Sequence, residues 1–298
     1  MLYLAVVTFI WAISFGLIGS SLKGVDPFLV ATLRLACATL LFLPFIRSKK
    51  VGARNCVTLM IFGAIQFGLM YTFYMKSYEY IPSHLVAIFS ILTPLYVVLI
   101  HDLQTHKFSK HYFIAALLSV IGAAIIRVKG VPLEDIWIGF GLMQLAGIAF
   151  AFGQVSYLKW KLQNPTVRDF EVFGLLALGG ALSAFAFSFL LTNWQTVEIT
   201  TNQWSCILYL GIVASGIGFY LWNKGAALCN AGTLAAFNNA LIPVAVLSSL
   251  FIFGEIKEAS LQNVLRLGIG TLFVTSAIVY GMRSVPKAPS GDTSSQKF

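Results

Sequence analysis

Asn238 and Asn239 stand side by side in "AAFNNALIPVAVL" (235–247), the second of them four residues ahead of Pro243. An amide side chain offers both hydrogen-bond donors and an acceptor. A proline inside a helix frees the carbonyl four residues earlier, here that of Asn239. The same arrangement recurs in "HLVAIFSILTPLY" (84–96), where Pro94 is expected to free the carbonyl of Ser90. Freed backbone groups in apolar surroundings persist where they are buried in protein or line a wet cavity. Other apolar stretches add Gln66, Tyr71, Tyr96, Gln144 and Asn223, with Ser14, Tyr74 and Gln154 at similar depth, and Trp11 and Trp222 as flat apolar surfaces. As a group these residues outline an uncharged, hydrogen-bonding, aromatic-walled site for a small molecule. We expect Trp11, Gln66, Tyr71, Ser90, Tyr96, Gln144, Asn223, Asn238 and Asn239 to bind it. Each polar residue taken singly could instead serve as glue between helices.

Charge narrows the ligand. Arg34 is the only basic residue well inside an apolar stretch, and Lys76 lies toward the same face. A charge buried in a membrane marks function by default, so the pair is expected to attract an anion. Arg34 could alternatively snorkel to the interface. The acidic residues all fall in loops, at the ends of apolar stretches or in the C-terminal tail. A cation carrier would place an acid at mid-depth, so the site suits a neutral or anionic substrate. Cys37, Cys56, Cys206 and Cys229 have no CxxC spacing, which argues for packing rather than metal or redox work. There is no GxxxxGK[ST] loop and no ATPase domain, so neither a cofactor nor an ATPase subunit is expected. The loop "HDLQTHKFSKH" (101–111) is the one place where an enzyme's acid–base cluster could lie, and it reads better as a solvated turn.

The elements that must position these residues follow from composition. The chain has 298 residues, 58% hydrophobic and 10% charged. Soluble domains carry about a quarter charged residues, so this is an integral membrane protein. Apolar runs match the ~20 residues needed to cross a ~30 Å hydrocarbon core. Ten are expected, at 3–20, 28–46, 57–75, 83–101, 110–127, 136–156, 170–190, 204–222, 231–253 and 262–281. The first reads as a retained span and not a cleaved signal. Basic residues set the orientation. With the N-terminus inside, only Lys23, Lys76, Arg127, Lys129, Lys257 and Arg266 fall outside, and both termini are cytoplasmic. That distribution explains the net charge of +9 without a nucleic-acid partner. A shift of 149 positions brings Leu85 onto Leu234, Leu92 onto Leu241, Pro94 onto Pro243 and Tyr71 onto Tyr220. Five helices per copy force the second copy to insert upside down, giving two inverted repeats, 1–127 and 136–281. The stretch 285–298 is polar and rich in Pro, Gly and Ser, and is expected to be a disordered cytoplasmic tail.

Ten spans, an inverted five-plus-five repeat and prolines in the fourth and ninth helices resemble the EamA-type branch of the drug/metabolite transporter superfamily. "GAIQFGLMY", "LTPLYVVLIHD", "LGIVASGIGFYLWNKGA" and "AGTLAAFNN" are similar to the biotin-carrying members of that branch. The resemblance implies a non-enzymatic secondary transporter in the bacterial inner membrane that imports biotin by rocking its repeats against each other. Other members carry amino acids or other metabolites, in either direction, which leaves an exporter or exchanger as the alternative.

Overall fold

The computed structural model describes residues 1–81, 86, 89–127, 136–251 and 261–283. The expected tail at 285–298, and His84, Leu85 and Ala87 of the first proline segment, lie outside the described residues. Among the described residues all regular structure is helical. The long helices are α1 (Leu2–Ser21), α2 (Pro27–Phe42), α3 (Ala53–Ser77), α4 (Thr93–Thr105), α5 (Lys110–Arg127), α6 (Ile136–Gln163), α7 (Asp169–Leu191), α8 (Thr201–Ala226), α9 (Ala231–Phe251) and α10 (Leu261–Arg283). Among the described residues six stretches are long and apolar enough to cross a membrane: Pro27–Phe45, α3, α6, α7, α8 and Leu265–Met282 within α10.

Local chemistry sets several ends. Asp26 caps α2 by accepting the Leu29 N–H at 2.8 Å, and Pro27 opens the helix where no N–H is missed. The same Asp26 oxygen accepts the Thr192 hydroxyl at 2.8 Å, tying the start of α2 to the end of α7. Thr200 and Gln203 form a reciprocal capping box at the start of α8. Two helices are not uniform. Ala64–Leu69 in α3 and Leu210–Ile217 in α8 are π-helical, and such wider turns concentrate at functional sites.

Packing follows a pairwise scheme. α2 lies on α7, α4 on α9 and α5 on α10. α3 packs on α7 and α6, while α8 packs on α2 and α1. α4 rests on α6, and α9 on α1. Small residues let the backbones approach, as membrane bundles require. A β-carbon at Gly63 would run into the Leu176 backbone carbonyl, and one at Gly179 into the Met60 carbonyl, so α3 and α7 touch backbone to backbone.

Around Pro94 the backbone departs from the sequence expectation. Ser90–Leu92 forms a 3-10 turn ahead of α4, and the Thr93 N–H donates to the Ser90 carbonyl. The carbonyl that Pro94 would leave free is thus already engaged, because tightening the turn brings in the donor three residues on. Pro243 lies inside α9.

Candidate functional site

A cavity opens between the helices. Thr8, Trp11, Ser14 and Ile18 line it from α1, one helix face repeating every three to four residues. α2 contributes Arg34; α3 contributes Met70, Tyr71 and Tyr74. Ser90 and Thr93 border it at the 3-10 turn, and Met143, Ala146, Gly147 and Phe150 from α6. Phe219 and Trp222 of α8, with Asn238 and Leu241 of α9, complete it. Its centre is aromatic. The Trp11 ring lies 4.9 Å from Trp222, 5.4 Å from Phe219 and 5.9 Å from Phe150. Its indole N–H donates to the Ala214 carbonyl in the π stretch at 2.9 Å, which fixes the ring.

The cavity has a charged pole. Arg34 is 2% exposed, so it does not snorkel. Its Nε donates to Ser215 Oγ at 3.2 Å and its Nη2 to the Tyr71 hydroxyl at 2.6 Å, with the guanidinium 4.5 Å from the Tyr71 ring centre. Nη1 has no hydrogen-bond partner among the described residues. None of the lining residues is Asp or Glu. The site therefore holds a buried positive charge with one unused donor and no counter-charge, which is the chemistry of an anion receptor.

The other pole is an amide cluster. Gln154 Oε1 accepts the Trp222 indole N–H at 2.9 Å and Asn238 Nδ2 at 3.5 Å, and Asn238 Nδ2 also donates to the Leu234 carbonyl at 2.9 Å. Beyond it Leu4, Val7, Val97, Ala226 and Leu234 are fully buried and close the bundle. On the opposite side Ile18 is shared with a wider recess, walled by Leu22 to Pro27, Met75, Tyr78, Asn193 and Glu198.

Known proteins resemble this chain. The model of the EamA-like transporter family matches residues 1–128. A biotin transporter of Salmonella typhimurium is 39% identical over 257 residues, which cover 86% of this chain and 85% of that protein. One from Escherichia coli is 38% identical over 257 residues, with the same coverage. A probable biotin transporter of Pseudomonas aeruginosa is 38% identical over 280 residues, 93% of this chain and 96% of the relative. The chain belongs to the EamA-like transporter family. It is a multi-pass membrane transporter and not an enzyme, as the sequence led us to expect. A solved crystal structure shares the fold, with a TM-score of 0.70 at 18% identity over 95% of this chain and 96% of the other.

Within this EamA fold the expected binding residues divide. Trp11, Tyr71, Ser90, Asn238 and Arg34 border the cavity. Gln66 and Asn223 do not: they bind each other, Gln66 Nε2 to Asn223 Oδ1 at 2.8 Å and Asn223 Nδ2 to Gln66 Oε1 at 3.4 Å, and both are buried. The Tyr96 hydroxyl donates to Gln144 Oε1 at 2.8 Å, and Gln144 Nε2 reaches the Phe89 carbonyl at 3.1 Å, so this pair braces the 3-10 turn. Asn239 turns away from the cavity and donates to the Ile91 carbonyl at 3.0 Å. Lys76 pairs with Glu79 at the helix end. Sequence reasoning missed Phe150, Phe219 and Ser215. Ser215 was within reach, because the 149-residue shift places Gln66 on it. Met70 and Met143 carried no polar signal.

Proposed function

We propose that the protein imports biotin across the bacterial inner membrane. The observation that carries this reading is Arg34, a buried guanidinium facing an aromatic cavity, with a free donor and no acidic partner among the described residues. Biotin supplies one carboxylate for that donor, a bicyclic apolar body for the Trp11, Phe150, Phe219 and Trp222 rings, and polar ring atoms for the amides. The relatives named as biotin transporters supply the substrate name. An amino acid fits less well. Its ammonium group would need an acceptor of matching charge, the lining residues include no carboxylate, and the Ser90 carbonyl is occupied.

In this reading the ten helices all span the membrane as two inverted repeats, 1–127 and 136–281, with both termini cytoplasmic. Three features support it. Contacts recur after a shift of five helices (α3 with α7 and α8 with α2, α1 with α8 and α6 with α3, α1 with α9 and α6 with α4), as a twofold axis between repeats would require. The π stretches fall at corresponding places in α3 and α8. The family model ends at residue 128. Import then proceeds by alternating access, the recess beside Ile18 being the outer mouth and the layer around Leu4, Val97 and Leu234 the inner seal. Gln66, Asn223, Tyr96, Gln144 and Asn239 support the site from behind, and Lys76 contributes to attraction of the anion at the mouth.

The test is uptake of labelled biotin at nanomolar concentration in a biotin-auxotrophic cell lacking its own importer. Saturable uptake that excess unlabelled amino acids do not reduce is the expected result. Uptake no greater than in cells without the protein, or full competition by an amino acid, refutes the proposal.

A further inference from the structure

The amide pole holds two unused groups of opposite sense. Gln154 is fully buried, and its Nε2 has no hydrogen-bond partner among the described residues. The assignment of its two amide atoms is not arbitrary. The Trp222 indole can only donate, so the Gln154 atom facing it is the oxygen and the nitrogen is left over. Asn238 is fixed the other way. The Leu234 carbonyl can only accept, so the Asn238 atom facing it is the nitrogen, and the oxygen is left over. Asn238 borders the cavity, and Gln154 sits one turn beyond the lining residue Phe150, in contact with both Asn238 and Trp222. Two side chains in contact therefore carry an unused donor and an unused acceptor.

We propose that Asn238 Oδ1 and Gln154 Nε2 bind the N–H and the C=O of a cyclic urea or lactam, and that this fixes the substrate with its urea ring at the amide pole and its carboxylate at Arg34. A ligand edge that places an N–H next to a C=O satisfies both groups at once, and a leftover buried donor is costly. The two poles are joined by α8: Ser215 holds Arg34 and Trp222 holds Gln154. They are seven residues apart, a rise of about 10 Å at ~1.5 Å per residue. A fused ring pair bearing a short acid chain matches that span. The proposal rests on the reading of the cavity as a biotin site and adds the orientation within it.

The experiment is equilibrium binding to the purified full-length protein with biotin, biotin methyl ester and 2-iminobiotin, in which the urea C=O is replaced by an imine that carries a proton at neutral pH. On the unaltered protein, 2-iminobiotin is expected to bind at least about tenfold more weakly than biotin, the effect of losing one hydrogen bond and leaving its donor buried. Asn238→Ala should weaken biotin and its methyl ester by the same factor, about tenfold. Gln154→Met should remove most of the difference between biotin and 2-iminobiotin. Ligand-free melting temperatures check that both variants fold, and the iminobiotin comparison needs no variant. Unaltered protein that does not bind biotin overturns both the functional reading and this one. Unaltered protein that binds biotin and 2-iminobiotin equally, or a gap that survives in Gln154→Met, overturns this assignment alone.

Discussion

Replacing Arg34 by glutamine separates two roles that a buried arginine can have. If it receives the substrate carboxylate, the variant loses a charge-assisted hydrogen bond in a dry site. Such bonds contribute about 1.5–3 kcal/mol, a loss in affinity of roughly 10- to 150-fold. If it only holds helices together, the variant should lose stability instead. The structure argues against a large stability loss. Without Arg34 the Tyr71 hydroxyl and Ser215 Oγ remain bonded to each other at 3.0 Å, and Ser215 still donates to the Leu210 carbonyl at 2.9 Å. The guanidinium itself is buried without a counter-charge, which costs several kcal/mol of desolvation that the glutamine does not incur. We therefore expect Arg34→Gln to melt at or above the temperature of the parent protein in the absence of ligand. Scintillation proximity binding with labelled biotin should show the affinity loss, and competition with biotin methyl ester should show little change, since the ester has no charge to lose. Equal loss for acid and ester would mean that Arg34 shapes the cavity. Unchanged biotin affinity would remove it from the site altogether.

Gly63→Leu should abolish recovery of monodisperse protein on size exclusion, because its side chain would have to displace the α7 backbone; a parent-like elution profile would disprove the close approach. Gln66→Leu should lower the melting temperature by leaving the Asn223 amide buried and unpaired, at about 1–3 kcal/mol, and the double change Gln66→Leu with Asn223→Leu should recover part of it. A double variant no more stable than the single would contradict the pairing. Cys229 lies in the turn after α8, where burial pushes its thiol up to about 12, so the thiolate is scarce at neutral pH. Maleimide should modify it slowly until the protein is denatured, as mass spectrometry would record; modification at the rate of a free thiol would count against this. A cysteine at Lys23 should react with a membrane-impermeant reagent added outside intact cells, and one at the exposed Lys107 should not; the reverse pattern would overturn the orientation.

The all-helical, multi-pass membrane class was legible because apolar length is written directly in the chain. Asp26–Pro27 marked the start of α2 for a local reason that the structure repeats. The site was less legible because rotation about a helix axis is set by packing. Asn238 and Asn239 point ~100° apart; the structure turns only Asn238 to the cavity, and nothing local says which it would be. Gly218 illustrates the packing that decides such questions: a β-carbon there would lie 2.9 Å from the Trp11 indole nitrogen. The π stretches were invisible for a related reason. One widened turn shifts the register of everything after it without changing the residue types, and so leaves no period to detect. Ser90 failed differently. The proline rule identified a carbonyl at risk, but a 3-10 turn offered it a donor that an α-helix could not.

The proposed repeat sharpens the meaning of Arg34. Two like halves around one cavity would give it two like ends, and a substrate could then enter either way round. Aromatic residues come from both halves, Trp11 and Tyr71 from the first, Phe150, Phe219 and Trp222 from the second. The charge does not. The position 149 residues after Arg34 is Ser183, which packs against Gly68 between α7 and α3 and does not line the cavity. A single cation in an otherwise two-sided cavity makes its ends unlike, so a substrate with one anionic end has one favourable orientation. The amide pole opposes it from the second half, through Gln154 and Asn238. In the proposed rocking of the halves, Arg34 would move with the first half and the amides with the second. A substrate bound at both poles spans the moving interface. Its binding energy then differs between the open and closed arrangements, which is the condition for a ligand to drive a conformational change.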